Sequence, residues 1–299
     1  DKVSELVMMK ALSLLNSWLR SELHREDLKG IIHKNNSDGK NHSWGCHLNV
    51  LLDRKTVGTK ENLEKFMIHY MPFQIARMVL IGSGKIGSEN KSSKCDFQIS
   101  QRADFFERIS NEKTTEFRPI FNLRDEPHAN PQKYFRLHDI STDSLMCEYS
   151  IFLKVALTQI VIAMIEDGFW SENLFPKYPV EAIKRVSRDF KFKDKILLAD
   201  GKSLTGMEIL RAYLKRAKEY IEENNWDPIY HLAIKESEVL LAKLEKDPFD
   251  AFGVLDWPTV LGILESNPDK AEALVLRFRK VAPDSLYYEY FKRGLIKRL

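Results

Sequence analysis

The sequence predicts an α+β protein with a mixed N-terminal half and a mostly helical C-terminal half. Polar and apolar residues alternate over 47–52, and Arg118, Asn122 and Arg124 recur at even spacing in an extended stretch, the period of a strand. Apolar residues recur three and four apart over 3–19, the period of a helix. Beyond Trp170 helical spacing takes over, and strand signals shrink to one short hairpin.

The elements follow in chain order. Val3, Leu6, Val7, Leu14, Leu15, Trp18 and Leu19 form the apolar stripe of a first helix. Ile31-Ile32 leads into a polar loop over 35–40, where Asp38-Gly39 marks a turn. A strand follows, with His47, Asn49 and Leu51 on one face and Leu48, Val50 and Leu52 on the other. A helix is expected over 62–81, broken near Pro72 because proline lacks an N–H. Then come a loop over 82–87, strands over 97–102, 117–123 and 134–140, and a long helix over 146–166 capped by Gly168. In the second half, 195–205 reads as a hairpin turning at Asp200-Gly201. Thr205 with Glu208 makes a capping box for a helix to residue 223. Further helices are expected over 229–245, 259–265, 270–281 and 285–299.

With 299 residues, 43% hydrophobic and 30% charged, the chain has the composition of a globular protein of one large or two ordinary domains. We expect a single domain over 1–299, with the candidate chemistry in the mixed half, 1–168, and the mostly helical half at 169–299. The 46 basic and 43 acidic residues leave a net charge of +3, which gives no global pull toward nucleic acid or a membrane surface. Local basic clusters at 184–185, 191–195, 277–280 and 297–298 read as solvated faces. Cys46, Cys95 and Cys147 are odd in number, widely spaced and without a CxxC pair, which fits a reducing cytoplasm rather than a zinc ribbon or disulfide scaffold. No uninterrupted apolar run looks long enough to cross a bilayer: 151–165 contains Lys154 and Gln159 and reads as a core helix. No signal peptide is evident. The chain opens on Asp1 rather than Met, so upstream residues are expected to be absent from it.

The run 114–129 carries the densest chemistry. Strand periodicity would place Arg118, Asn122 and Arg124 on one face, where guanidinium forks could grip polyphosphate oxygens. Equally, these arginines could pair with nearby Asp and Glu on a solvated face. Asp125 and Glu126 could serve as acid or base, but an orienting role toward Arg124 is favoured. His47, beside Asn49, and His138, just after Arg136, could ligate a metal or touch phosphate, whereas lone strand histidines are more often satisfied structural residues. Such a set suits magnesium–ATP better than zinc, with the histidines supplementary because magnesium prefers carboxylate oxygens. The loop 82–87 lacks the full GxxxxGK[ST] pattern and follows a helix, so a plain flexible connection is favoured over a phosphate cradle. Cys46 and His47, as strand neighbours, point to opposite faces, which argues against a Cys–His nucleophile.

Lys34-Asn35-Asn36, Asp38-Gly39-Lys40 and Ser43-Trp44-Gly45-Cys46-His47-Leu48-Asn49 resemble the KNN…DGK…SYG(C/S)HEN run of the Pup ligase and Pup deamidase/depupylase family, where Pup is the prokaryotic ubiquitin-like protein. The resemblance continues through Ile99-Ser100-Gln101-Arg102-Ala103-Asp104, the run 118–129, Tyr134-Phe135-Arg136-Leu137-His138, Asp256-Trp257-Pro258 and 293–299. It implies a glutamine-synthetase-like fold: a curved, mainly antiparallel sheet with helices on its outer face. It implies ATP and Mg2+ as cofactors, with His47 and His138 at the metal. Arg118 and Arg124 would hold phosphates, supported by Arg102, Arg136 and Asn49. The resemblance also implies that the family's first strand, its metal-binding glutamates, its catalytic aspartate and its small C-terminal domain lie outside this chain. No catalytic residue is therefore expected within it, and a separate N-terminal fragment or subunit could complete the site.

Asp38-Gly39-Lys40, Gly82-Ser83-Gly84, 97–104, 198–202 and Asp256-Trp257-Pro258 lean toward the deamidase branch. Gly45-Cys46-His47 and Asp143-Ser144 lean toward the ligase. We expect an ATP/Mg-dependent deamidase and isopeptidase acting on a Pup-like modifier and its conjugates. The alternatives are a ligase joining the modifier's C-terminal glutamate side chain to target lysines, and a non-catalytic subunit that binds a Pup-like protein. The last is motivated by Leu48, which stands where the family has a carboxylate.

Overall fold

The computed structural model describes residues 2–113, 116–170 and 172–299. Thr114 and Thr115, which open the arginine-bearing run, lie outside the described residues. The elements are α1 (Lys2–Ser21), β1 (Leu48–Asp53), α2 (Arg54–Val57), α3 (Lys60–Ala76), α4 (Met78–Ile81), β2 (Lys85–Ile86), β3 (Phe97–Gln98), β4 (Arg108–Asn111), β5 (Pro119–Asn122) and β6 (Tyr134–Asp139). After these come α5 (Glu148–Glu166), α6 (Pro179–Arg188), β7 (Ile196–Leu197), β8 (Ser203–Leu204), α7 (Gly206–Glu223), α8 (Pro228–Lys246), α9 (Asp256–Ser266), α10 (Ala271–Phe278) and α11 (Leu286–Lys292).

The central sheet runs β1-β6-β5-β4, antiparallel except for the parallel β4–β5 pair. One face is covered by helices: Phe121 of β5 meets Phe66 of α3 with ring centroids 6.4 Å apart. Leu52, Phe121, Phe135 and Leu137 enter a hydrophobic core that continues through α5, α7 and α8 to α9. The opposite face carries the polar side chains of β1, β6 and β5. Alternation fixes this on β1 and β6, where Asn49 lies opposite His138 and Leu51 opposite Arg136.

Several expectations are met closely. The Thr205–Glu208 capping box forms, with both reciprocal bonds present. Asp200-Gly201 turns the small β7–β8 hairpin, with Gly201 at φ +89°.

Others need correction. Pro72 lies inside α3, and the break falls at Arg77. The proline removes a single N–H from the ladder, its ring is buried, and the Tyr213 hydroxyl donates to the nearby His69 carbonyl. The strand expected over 97–102 stops at Gln98, because Ile99 N donates to the Ser187 carbonyl and Ser100 N and Gln101 N to the side chains of Ser187 and Asp143. The strand expected from 117 begins at Pro119, because Phe117 is left-handed at φ +46°. The last helix ends at Lys292, short of residue 299.

The loop 82–87 is pinned rather than a plain connection. Asp143 accepts from Ser83 N, and Arg279 donates to the carbonyls of Ser83 and Gly84. Carbonyls rather than N–H groups thus face the cation, which is the wrong polarity for a phosphate cradle. Arg279, assigned to a solvated cluster, is 7% exposed. Finally, α5 has 19 residues and a window of mean hydropathy 1.6, so by length and composition it could cross a membrane despite Lys154 and Gln159. Its Leu153, Leu157, Ile160, Val161 and Met164 are buried in the protein's own core.

Candidate functional site

His138 anchors the site because β6 lies in the middle of the sheet. Its Nδ1 lies 3.1 Å from Asn122 Oδ1, on the neighbouring strand. The Asn122 amide NH2 is already committed to the carbonyls of Asn111 and Glu112, so its oxygen must accept, and His138 carries its proton on Nδ1. His138 Nε2 is then a bare acceptor, 2.9 Å from His47 Nδ1. Two ligands at right angles on a cation with bonds of about 2.1 Å would sit about 3 Å apart, so this spacing also fits a shared divalent ion.

Both imidazoles are held neutral. The His138 pKa is pushed down to about 4, first by burial, then by His47, Arg136 and Arg124. That of His47 is lowered by burial and by Arg102 and Arg136, with Asp139 opposing. The folded His138 thus binds a proton less readily than an ordinary histidine at 6.5, and the unfolded chain takes it up first as the medium is acidified. His138 should therefore contribute its full stabilisation above pH 6.5 and lose it as pH falls toward about 4. A ring-proton NMR titration of His138 checks this: a midpoint near the ordinary value would contradict the geometry.

Gly45 makes the pairing possible. A Cβ there would lie 2.2 Å from His47 Nε2 and 2.7 Å from an Arg102 nitrogen. Gly45→Ala should displace His47 and cut activity by at least about tenfold, the scale of a ligand-orienting change. Global stability should change little, because Gly45 is exposed. Parallel activity and denaturation measurements on the variant check this.

Around the histidines stand guanidinium groups. Arg102 is 3% exposed, packs over the Phe106 ring and has its pKa lowered to about 10, chiefly by burial, with Arg118 adding to the effect. Arg118 lies over the Phe105 ring, 5.3 Å from its centroid. Arg136 projects from β6 two residues before His138. Arg102 Nε, Arg118 Nη1 and Arg136 Nε are all buried without a partner among the described residues. Three unsatisfied cationic donors beside two neutral imidazoles fit a bound polyanion and its counter-cation.

The structure thus gathers His47, His138, Arg102, Arg118 and Arg136. Asn49 lies opposite His138 with its side chain exposed. Arg118 and Arg124 sit just beyond the two ends of β5, so strand alternation fixes neither. Arg124 stays at the rim, paired with Glu126 at 3.0 Å, and Asp125 pairs with Arg54 at 2.7 Å. For Arg124 the blander reading, pairing with a nearby carboxylate, describes the geometry. Leu48 faces the helix-covered side, away from His47. Cys46 likewise points away from the histidines, with Sγ 3.4 Å from Lys154 Nζ. Among the described residues no three His, Cys, Asp or Glu side chains converge on a cation position, so the carboxylates magnesium prefers are not gathered here. The sequence shows Gly45 only as one residue of a motif, without its steric role, and Phe105 and Phe106 are signalled only by adjacency to motif residues.

Fold and site together define a glutamine-synthetase-like sheet protein with a cationic, histidine-bearing face. The family model described as Pup-ligase protein matches residues 1–299. The chain is 37% identical over 281 residues to a depupylase of Acidothermus cellulolyticus, covering 90% of this chain and 55% of that protein. It is 33% identical over 298 residues to a Pup–protein ligase of a Nocardioides species, covering 98% and 63%. Solved structures of the Pup ligase PafA, with ADP and with Pup, superpose at TM-scores of 0.86 and 0.85. Each is 28% identical and matched over 99% of this chain, which covers 66% and 62% of the respective PafA chains. The chain therefore belongs to the Pup-ligase family, whose named relatives are enzymes, and it spans little more than half the length of the depupylase it matches.

Proposed function

We propose that this chain forms the nucleotide-facing part of an ATP- and Mg2+-dependent deamidase and isopeptidase that acts on a Pup-like modifier. The observation that carries the reading is the set of unpartnered guanidinium nitrogens on Arg102, Arg118 and Arg136 around the neutral His47–His138 pair. The deamidase-leaning motifs and the depupylase relative favour this branch. Bound Mg–ATP would supply a polarised polyphosphate. Arg102, Arg118 and Arg136 would hold its oxygens in preorganised positions and stabilise charge there, with Arg124 at the rim. His47 and His138 would present lone pairs to the cation, and Asn49 a hydrogen-bonding group beside them. Catalytic carboxylates would come from polypeptide outside this segment.

The second reading is a ligase. Gly45-Cys46-His47, Asp143-Ser144 and the similarity to a Pup–protein ligase favour it. Incubating the complete protein with ATP, Mg2+, a lysine-bearing target protein and a Pup-like protein ending in glutamine or, in parallel, in glutamate, followed by mass spectrometry, separates the readings. Conversion of the terminal glutamine to glutamate supports the first. Heavier conjugates formed only from the glutamate-ended modifier establish the second. Modifier binding with neither reaction would leave a non-catalytic binding subunit.

A further inference from the structure

A second polar cavity lies at the far end of β1, about 20 Å along the strand from His47 at roughly 3.3 Å per residue. Its volume is about 420 Å³, and α2, the middle of α3 and the C-terminal end of α5 form its walls. Trp170 lines it, 3% exposed and stacked on Tyr213 at 4.1 Å, and its indole Nε1 has no partner among the described residues. His69 Nδ1, in the same lining, also lacks one. Two buried ring nitrogens left open around one cavity are a costly arrangement unless something else satisfies them.

The charges around it are divided. Glu166 lines one wall, and Asp53 and Asp167 are close enough to raise its pKa, after burial, which contributes most. Among the described residues none of these three carboxylates forms an ion pair, although Glu166 accepts from Asp53 N at 2.7 Å, Asp53 from Lys55 N at 2.9 Å and Asp167 from the Tyr220 hydroxyl. The helical walls bring Lys55 and Lys65, the latter paired with Glu61 at 2.7 Å. Carboxylates without an ion pair, an indole N–H without an acceptor and a Lys55 ammonium without an ion pair, all among the described residues, are jointly answered by one kind of ligand. We propose that this cavity binds a free α-amino acid, its ammonium on the Glu166 side and its carboxylate toward Trp170 and Lys55.

Isothermal titration calorimetry of the complete protein with each of the common free L-amino acids tests this. At least one should bind saturably. Its N-acetyl derivative, which lacks the ammonium, and its amide, which lacks the carboxylate, should each bind about tenfold or more weakly, the scale of a lost charge-assisted hydrogen bond. Trp170→Phe, which keeps the stack on Tyr213, and Glu166→Gln should weaken binding similarly while leaving nucleotide binding at the His47 end unchanged. Absence of saturable heat with every amino acid overturns the proposal. So does binding that is indifferent to both derivatives of the ligand, a comparison made on the unaltered protein and independent of how the variants fold.

Discussion

Arg118→Ala in the complete protein should lower nucleotide-dependent turnover by about a thousandfold, the lower end of what one phosphate-clamping arginine supplies. The size follows from the placement. Arg118 is held over the Phe105 ring and has a buried nitrogen that nothing in the described chain satisfies. A group fixed in this way meets a charged ligand with little reorganisation. Arg124→Ala should cost less, because Arg124 is about half exposed and already shares its charge with Glu126. Steady-state kinetics on the two variants give the comparison. Equal losses would mean that burial does not rank these arginines, and wild-type turnover in Arg118→Ala would remove it from the site.

Removing Arg77 should destabilise the fold by roughly 3–5 kcal/mol, the scale for breaking a buried ion pair from one side. Arg77 and Asp139 are 2% and 0% exposed and bonded to each other beneath the sheet. Burial alone would push the Asp139 carboxyl up, but Arg77, together with Ser141, Tyr70 and Gln74, holds it below its ordinary range. Arg77→Ala leaves that carboxylate without its cation. Arg77→Met with Asp139→Leu removes both charges and should recover most of the loss. Urea denaturation of the wild type and both variants measures it. A single variant losing less than about 1 kcal/mol, as an exposed pair would, would show that water already reaches Asp139.

How much of this was legible in the sequence depended on where each residue's partners lie. β1 and β6 were readable because one face is buried and the other is not, so their composition alternates. The Thr205–Glu208 box was readable because a capping box is local. β4 was missed: its Arg108–Asn111 run is polar, and it is a strand only because β5 lies parallel beside it. α6 was missed as well, a ten-residue helix that starts straight from a proline. At the site, the histidines and arginines could be named from residue type and motif. That Arg102 reaches His47 across Gly45 could not, since the contact joins two loops 57 positions apart, 102 against 45. Nor could the sequence rank Arg118 above Arg124, because the ranking rests on Phe105, which approaches from another segment.

The helical half fastens the mixed half at three depths. Trp257 Nε1 donates to the Val79 carbonyl, Asp256 accepts from Met146 N and Cys147 N, and Arg279 holds Asn35 and the carbonyls of Ser83 and Gly84. Ser83 in turn donates to Asp143, and Asp143, more than Asp139, opposes the fall in the Arg102 pKa. The composition change after Trp170 is therefore not a seam along which the gene could be cut or shuffled. Cutting there would break all of the bonds between the halves together, so a change in the distal helices is felt at the arginines.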